Sequence, residues 1–203
     1  DTYKTADVII VCINCDIKKN SNKIFFDKKN FINSILDILE YISKNTLIII
    51  QSTVPPGTCK EIVYPIIKKQ LKKRKINSNS IYLAHSYERV MPGKNYLNSI
   101  VNFWRVYSGI NSISSHKCEL FLKKIINVSK FPLTRLSSTT ASEISKILEN
   151  SYRAVNIAFI EEWARFTENV GEDLFEIIEA IKIRPTHSNI MRPGFGVGGY
   201  CLT

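Results

Sequence analysis

Along the chain, short unbroken apolar runs alternate with longer stretches in which apolar side chains return every three or four residues. Residues 6–13 (ADVIIVCI), 46–52 (TLIIIQS), 80–86 (SIYLAHS) and 104–110 (WRVYSGI) are of the first kind. Each is too short for a helix and lacks polar alternation, which predicts parallel strands buried on both faces. Residues 31–44 (FINSILDILEYISK), 59–73 (CKEIVYPIIKKQLKK) and 114–126 (SSHKCELFLKKII) are of the second kind and predict helices. Strand and helix in turn give an α/β layer around a mostly parallel sheet. Residues 132–136 (PLTRL) are the candidate last strand.

After Ser138 the pattern changes. Residues 139–171 (TTASEISKILENSYRAVNIAFIEEWARFTENVG) predict one helix, longer than most globular helices. Thr140, followed three residues later by Glu143, reads as a capping box at its start, and Gly171 supplies a left-handed end. Residues 173–183 (DLFEIIEAIKI) predict a second helix, and 184–201 (RPTHSNIMRPGFGVGGYC) read as loop. The boundary falls near residue 137, giving a sheet domain over 1–137 and a helical domain over 138–203, with neither a flexible linker nor an internal repeat.

Composition narrows the function classes. With 203 residues and 44% apolar side chains, the chain can enclose one sizeable core with a helical extension. No apolar run is long enough to cross a bilayer, and the first residues lack the regions of a signal peptide, so a cytoplasmic protein without a membrane partner is expected. Five cysteines, an odd number, argue for reduced thiols. Cys12 and Cys15 form a C-x-x-C, but Cys12 belongs to an apolar strand rather than the turn into a helix that a redox pair occupies. The formal charge of +10 raises nucleic acid as a partner. Much of the excess lies in KKQLKKRK (68–75), a solvated helix end, while KKNSNK and KINSNS are compositional background. There is no aromatic interleaving and no zinc pattern, so no nucleic-acid partner and no metal is expected.

Residues 194–199 (GFGVGG) satisfy the G-x-G-x-x-G spacing of a dinucleotide loop. Such a loop needs a buried strand before it and a helix after it, because the pyrophosphate lies against the helix N-terminus. Neither is here, so the match is a coincidence of spacing. Clustered glycines offer instead a backbone that a ligand can approach and a loop able to move. Cys201 ends that loop, and spacing alone leaves open whether it is an accessible nucleophile or a buried thiol.

Four pieces taken together reach further: QSTVPPGT (51–58), HSYERVMPG (85–93), KILENSYRAVNIAFIEE (146–162) and RPGFGVGGYC (192–201). Their order and separation resemble the UDP-glucose/GDP-mannose dehydrogenase family over essentially the whole chain. The wording ERVMPG and GGYCLT looks closer to the branch acting on N-acetylated UDP-sugars. The resemblance implies the remainder of a Rossmann-like, mostly parallel sheet followed by a long-helix central segment. It also implies NAD as cofactor, a UDP-sugar substrate and a homodimer through the long helix 140–170. Relatives begin with a glycine-rich NAD loop and end with a second α/β domain, so the chain looks like a fragment, expected to bind NAD poorly and to turn nothing over alone.

The implied reaction oxidises a sugar C6 alcohol to the uronic acid in two hydride transfers, through a thiohemiacetal and a thioester on Cys201, which stands in the family's GGxC position. Lys146 and Asn150, four apart on one helix face, match the family's K-x-x-x-N and form an oxyanion clamp. Glu88, at the carboxyl end of a strand, is the candidate general base near the nicotinamide, and Thr53 has a parallel location. Ser86, Tyr87 and Glu88, and Ile190, Met191, Arg192, Pro193 and Gly194 with Gly198, match segments that line the sugar-nucleotide site. One departure stands out: where relatives have Val-Pro-Thr-Pro, this chain has Ile13-Asn14-Cys15-Asp16, so Ile13 and Cys15 take the place of residues that touch NAD. Two competing readings remain. One is a non-catalytic α/β binding or interaction module that keeps the motifs as scaffold. The other is a 3-hydroxyacid or 6-phosphogluconate type dehydrogenase, which needs no thiol.

Overall fold

The computed structural model describes residues 2–15, 17–21, 23–91 and 93–199, which form two compact units, 1–146 and 147–203. The first unit runs α1 (Thr2–Thr5), β1 (Val8–Val11), β2 (Ile17–Asn20), β3 (Lys23–Phe26), α2 (Lys29–Tyr41) and β4 (Leu47–Ile50). A π-helical stretch (Thr58–Val63) then leads into α3 (Tyr64–Lys73), β5 (Tyr82–His85), α4 (Tyr96–Val101), β6 (Val106–Gly109), α5 (Ser112–Leu122) and β7 (Thr134–Arg135). Helix α6 (Thr139–Val170) begins in this unit and continues into the second, which adds α7 (Leu174–Lys182).

The main sheet has the order β1-β4-β5-β6-β7. Strands β1, β4 and β5 are parallel, with Val11 opposite Ile50 and Ile50 opposite His85. Alternate residues of each strand face opposite sides. Ile48 and Ile50 pack with Ile9, Val11 and Leu83 under Phe31, Ile35 and Leu39 of α2 and Ile67 and Leu71 of α3. Leu47 and Ile49 pack with Ala84 and Tyr107 against Cys118 and Leu122 of α5. Both faces of the central strands are covered, which is why these segments read as unbroken apolar runs.

Two details differ from the expectations. Residues 104–110, expected as a parallel strand, hold β6, which pairs antiparallel with β5 through Ala84 opposite Gly109. The connection from β5 carries only the short α4 and returns from the carboxyl edge without a full crossover, so the next strand runs backwards. Apolar continuity reports burial on two faces, not direction. Lys18, Lys19 and Asn20, in a stretch read only as compositional background, pair with Phe25, Ile24 and Lys23 in the antiparallel hairpin of β2 with β3. The Thr140–Glu143 capping box does not form: the side chain of Ser138 accepts from the Ala141 amide and caps α6, while Glu143 is buried and bonded elsewhere. The other end of α6 is as expected. Gly171 has φ of +77°, and the Glu172 amide reaches Thr167 while that of Gly171 reaches Glu168, closing a Schellman motif.

In the second unit, Ile160 of α6 and Leu174 and Ile178 of α7 form a small core, joined by Ala164, Ile190 and Met191. Asp173 caps α7 by accepting from the Phe175 amide. Along α6, Leu148, Tyr152, Val155, Phe159, Trp163, Phe166 and Val170 are exposed. Their steps run four, three, four, then four, three, four again, an eleven-residue repeat close to the helix period, so they line one face of the helix.

Candidate active site

Three of the residues expected to be catalytic belong to the first unit and stand at the carboxyl edge of the parallel strands, where open α/β sheets collect ligands. Thr53, three residues past β4, is exposed, while Val54 beside it is 2% exposed and anchors the turn. Glu88 follows β5 and is half-buried, and its carboxylate accepts from the Val90 amide, which fixes its rotamer. Lys146 donates from Nζ to the main-chain carbonyl of Glu88 at 3.3 Å and lies 5.4 Å from the centroid of the Tyr87 ring. The structure therefore brings Lys146 to the Glu88 segment. Asn150, one turn further along α6, is half-buried and belongs to the second unit.

Tyr87 and Ser86 have no exposed side chain to offer a ligand. Tyr87 is fully buried, with its hydroxyl 2.8 Å from Ser145 Oγ and accepting from Arg89 at 3.1 Å, and Ser86 Oγ donates to the Val106 carbonyl. These contacts hold the backbone on which Glu88 sits. At the end of β1, Ile13 and Cys15 are half-buried, the Cys15 thiol donating to the Ile13 carbonyl, and Cys12 is exposed. A cavity of about 180 Å³ is lined by Gln51, Ser86, Glu88 and Arg105 together with apolar residues such as Ile10 and Ile49.

The glycine loop belongs to the second unit. Its entry is pinned at two points: the Gly194 amide donates to Glu161 at 2.6 Å, and Arg192 pairs with Glu179 at 2.7 Å. Ile190 and Met191 are half-buried against the small core, Pro193 is half-buried, and Gly194 and Gly198 are exposed. Cys201, the expected nucleophile, lies outside the described residues. Of the other thiols, burial pushes that of Cys118 up to about 12 and that of Cys59 well above its ordinary value, and it also raises that of Cys12.

Several residues at this edge escaped the sequence reading. Arg105 is 7% exposed and donates to the Tyr87 carbonyl; the signal for it was a single arginine heading the apolar run WRVYSGI. His85 is buried, with Nδ1 2.8 Å from Ser142 Oγ, and its Nε2 has no hydrogen-bond partner among the described residues. Burial lowers its pKa to about 4, against the Ser52 carbonyl, which favours the proton, so the ring is neutral near pH 7. Glu143 accepts from the Gly57 and Cys59 amides at 2.6 and 2.8 Å. Nothing local in the sequence announces partners so distant, nor marks Glu161 among the other glutamates of α6.

Among the described residues no three potential ligands cluster as a metal site, and no helix is long and apolar enough to cross a membrane. The model of the UDP-glucose/GDP-mannose dehydrogenase family, NAD binding domain, matches residues 1–126, and that of the same family's central domain matches residues 140–203. The UDP-N-acetyl-D-mannosamine dehydrogenase of Methanocaldococcus jannaschii is 35% identical over 203 residues, an alignment that takes in 98% of this chain and 43% of that protein. The structure of UDP-D-ManNAc dehydrogenase from Pyrococcus horikoshii superposes with a TM-score of 0.83 at 28% identity, covering 99% of this chain and 45% of that one. The native UDP-N-acetyl-mannosamine dehydrogenase Cap5O from Staphylococcus aureus gives 0.79 at 27% identity, covering 100% and 47%. The chain thus spans less than half the length of these relatives. Since the first family model alone covers more than half of its residues, the chain belongs to the UDP-glucose/GDP-mannose dehydrogenase family.

Proposed function

We propose that the full-length polypeptide containing this chain is an NAD-dependent 6-dehydrogenase of a UDP-sugar, with an N-acetylated hexosamine as the sugar, and that residues 1–137 form part of its NAD-binding domain and 138–203 its helical central domain. The observation that carries the reading is the placement of Lys146 on the Glu88 segment, at the carboxyl edge that also presents Thr53. The half-buried Ile13 and Cys15 and the exposed Thr53 leave that edge open, which fits a dinucleotide lying across the strand ends. The chemistry NAD supplies when bound is acceptance of a hydride, needed twice between alcohol and acid. Glu88 takes the proton of the reacting hydroxyl and later that of the hydrolytic water. The Lys146 ammonium and the Asn150 amide donate to the substrate oxygen as charge builds on it. Cys201, as thiolate, adds to the aldehyde carbon; the thiohemiacetal so formed is oxidised to a thioester, and water releases the acid and restores the thiol. Ile190, Met191, Arg192, Pro193, Gly194 and Gly198, with Ser86 and Tyr87 behind Glu88, form the sugar-nucleotide side of the site.

The exposed apolar stripe along one face of α6 supports a homodimer through this helix, since a contiguous row of water-facing aromatics is a surface that a second helix buries. Nucleotide sugars and NAD both belong to the cytoplasm, where the reading puts the protein. The test is spectrophotometric: the full-length protein is expected to reduce two NAD⁺ per UDP-sugar, and Cys201→Ala to form no acid. Acid formation undiminished in Cys201→Ala would remove the nucleophile. A panel of UDP-sugars with no reduction by the wild type would instead favour a scaffold without catalysis.

A further inference from the structure

We infer that Glu143 is a positioning residue, which clamps the Pro55-Pro56-Gly57-Thr58 turn to the first turns of α6 and so sets Thr53 and Lys146 relative to one another. The inference rests on the reading above, in which Lys146 donates to the substrate oxygen and Thr53 stands exposed at the same edge. Glu143 is 1% exposed. Its two carboxylate oxygens are each committed to a backbone amide, Oε2 to Gly57 at 2.6 Å and Oε1 to Cys59 at 2.8 Å. Two convergent N–H donors match the two oxygens of one carboxylate and no neutral side chain of that size.

The turn is shaped to present those donors. Gly57 has φ of +89°, and a Cβ there would stand 3.1 Å from the Glu61 carboxyl, so another residue would be both strained and crowded. The amides also open the helical run from Thr58 to Lys73, whose N-terminal end favours a negative partner. Burial raises the Glu143 pKa, and the two amides and the Cys59 thiol oppose that shift.

The clamp is the β4 half of a polar seam. On the β5 side, Ser142 meets His85 at 2.8 Å, Ser145 meets the Tyr87 hydroxyl at 2.8 Å, and Lys146 meets the Glu88 carbonyl at 3.3 Å. Glu143 alone of these joins α6 to the turn that follows Thr53. Lys146 stands three residues on, on the same side of the helix. Loosening the clamp therefore lets the hydroxyl-bearing turn and the ammonium drift apart without removing either.

Glu143→Gln keeps the shape but sets an amide donor against a backbone donor. In the full-length protein, kcat is expected to fall by about ten- to a hundredfold, the range that displacements near 1 Å produce, with KM for both substrates within about threefold. Amide exchange at Gly57 and Cys59 is expected to speed up at least about tenfold while that of β4 and β5 stays as it was. Should Glu143→Gln fail to fold, Glu143→Asp, which keeps both acceptors on a shorter stem, is read by the same two measurements. A folded variant with unchanged kcat, or with its loss confined to KM, overturns the inference. Exchange is read without substrate, so unchanged exchange at Gly57 and Cys59 overturns the clamp whether or not the wild type reduces NAD⁺.

Discussion

Acidification places a defined load on His85. The ring is fully buried at the end of β5, where Nδ1 meets Ser142 Oγ and the nearest ring is Tyr87, 6.2 Å away between centroids. Desolvation holds its pKa at about 4 in the folded chain, against 6.5 when unfolded. Between those values the unfolded chain binds a proton that the folded chain refuses, so stability rises with pH across this window. The stabilisation is complete above about pH 6.5 and is lost as pH falls through about 4. Its slope within the window is about 1.4 kcal/mol per pH unit, and its full extent about 3 kcal/mol. Urea unfolding of the wild type and of His85→Asn at half-unit steps from pH 7 to pH 4 isolates the effect, because every carboxylate titrates in both proteins. The stability difference between them is expected to narrow toward acid by about 3 kcal/mol. Parallel curves for the two proteins would refute a buried neutral imidazole at this position.

Two further outcomes follow from packing. Trp163→Glu, in the exposed stripe of α6, is expected to weaken self-association of the full-length protein on the order of a hundredfold, seen by light scattering as a shift to the monomer mass. An unchanged mass across the concentration series would remove the helix as the dimer contact. Gly109→Ala would bring a Cβ to 2.2 Å from the Ser115 amide nitrogen and 2.6 Å from the Ser114 carbonyl carbon, so α5 has to move off β6. The expected cost is about 1–3 kcal/mol in urea at unchanged m-value, and a loss below 0.5 kcal/mol would contradict the close approach.

What the sequence disclosed, and what it withheld, follows from the range of each interaction. Ile48 and Ile50 on one face and Leu47 and Ile49 on the other make a run that reads as a doubly covered strand, because burial acts residue by residue along the segment. Gly171 could be placed because a left-handed helix end is a local demand. The direction of β6 was not legible, since it depends on how the chain returns from β5. Glu143 was misread for a related reason. The S/T-x-x-E spacing describes a bond three residues away, whereas its partners at Gly57 and Cys59 are met only once the turn that follows β4 comes up against the start of α6. The motifs located Thr53, Glu88 and Lys146 on the strand ends and the long helix. His85 and Arg105, which pack behind them, are defined by tertiary surroundings that no spacing encodes.

Arg105 carries a last consequence. Its guanidinium is nearly enclosed, next to Glu88 in the same cavity, and burial lowers its proton affinity. Arginine starts so far above neutrality that it stays cationic regardless. The edge of the sheet thus holds a permanent positive pole, anchored to the Tyr87 carbonyl. A lysine amine in so dry a place could shed its proton. The charge of this one side chain is accordingly built in, and does not wax or wane with the acidity of the medium.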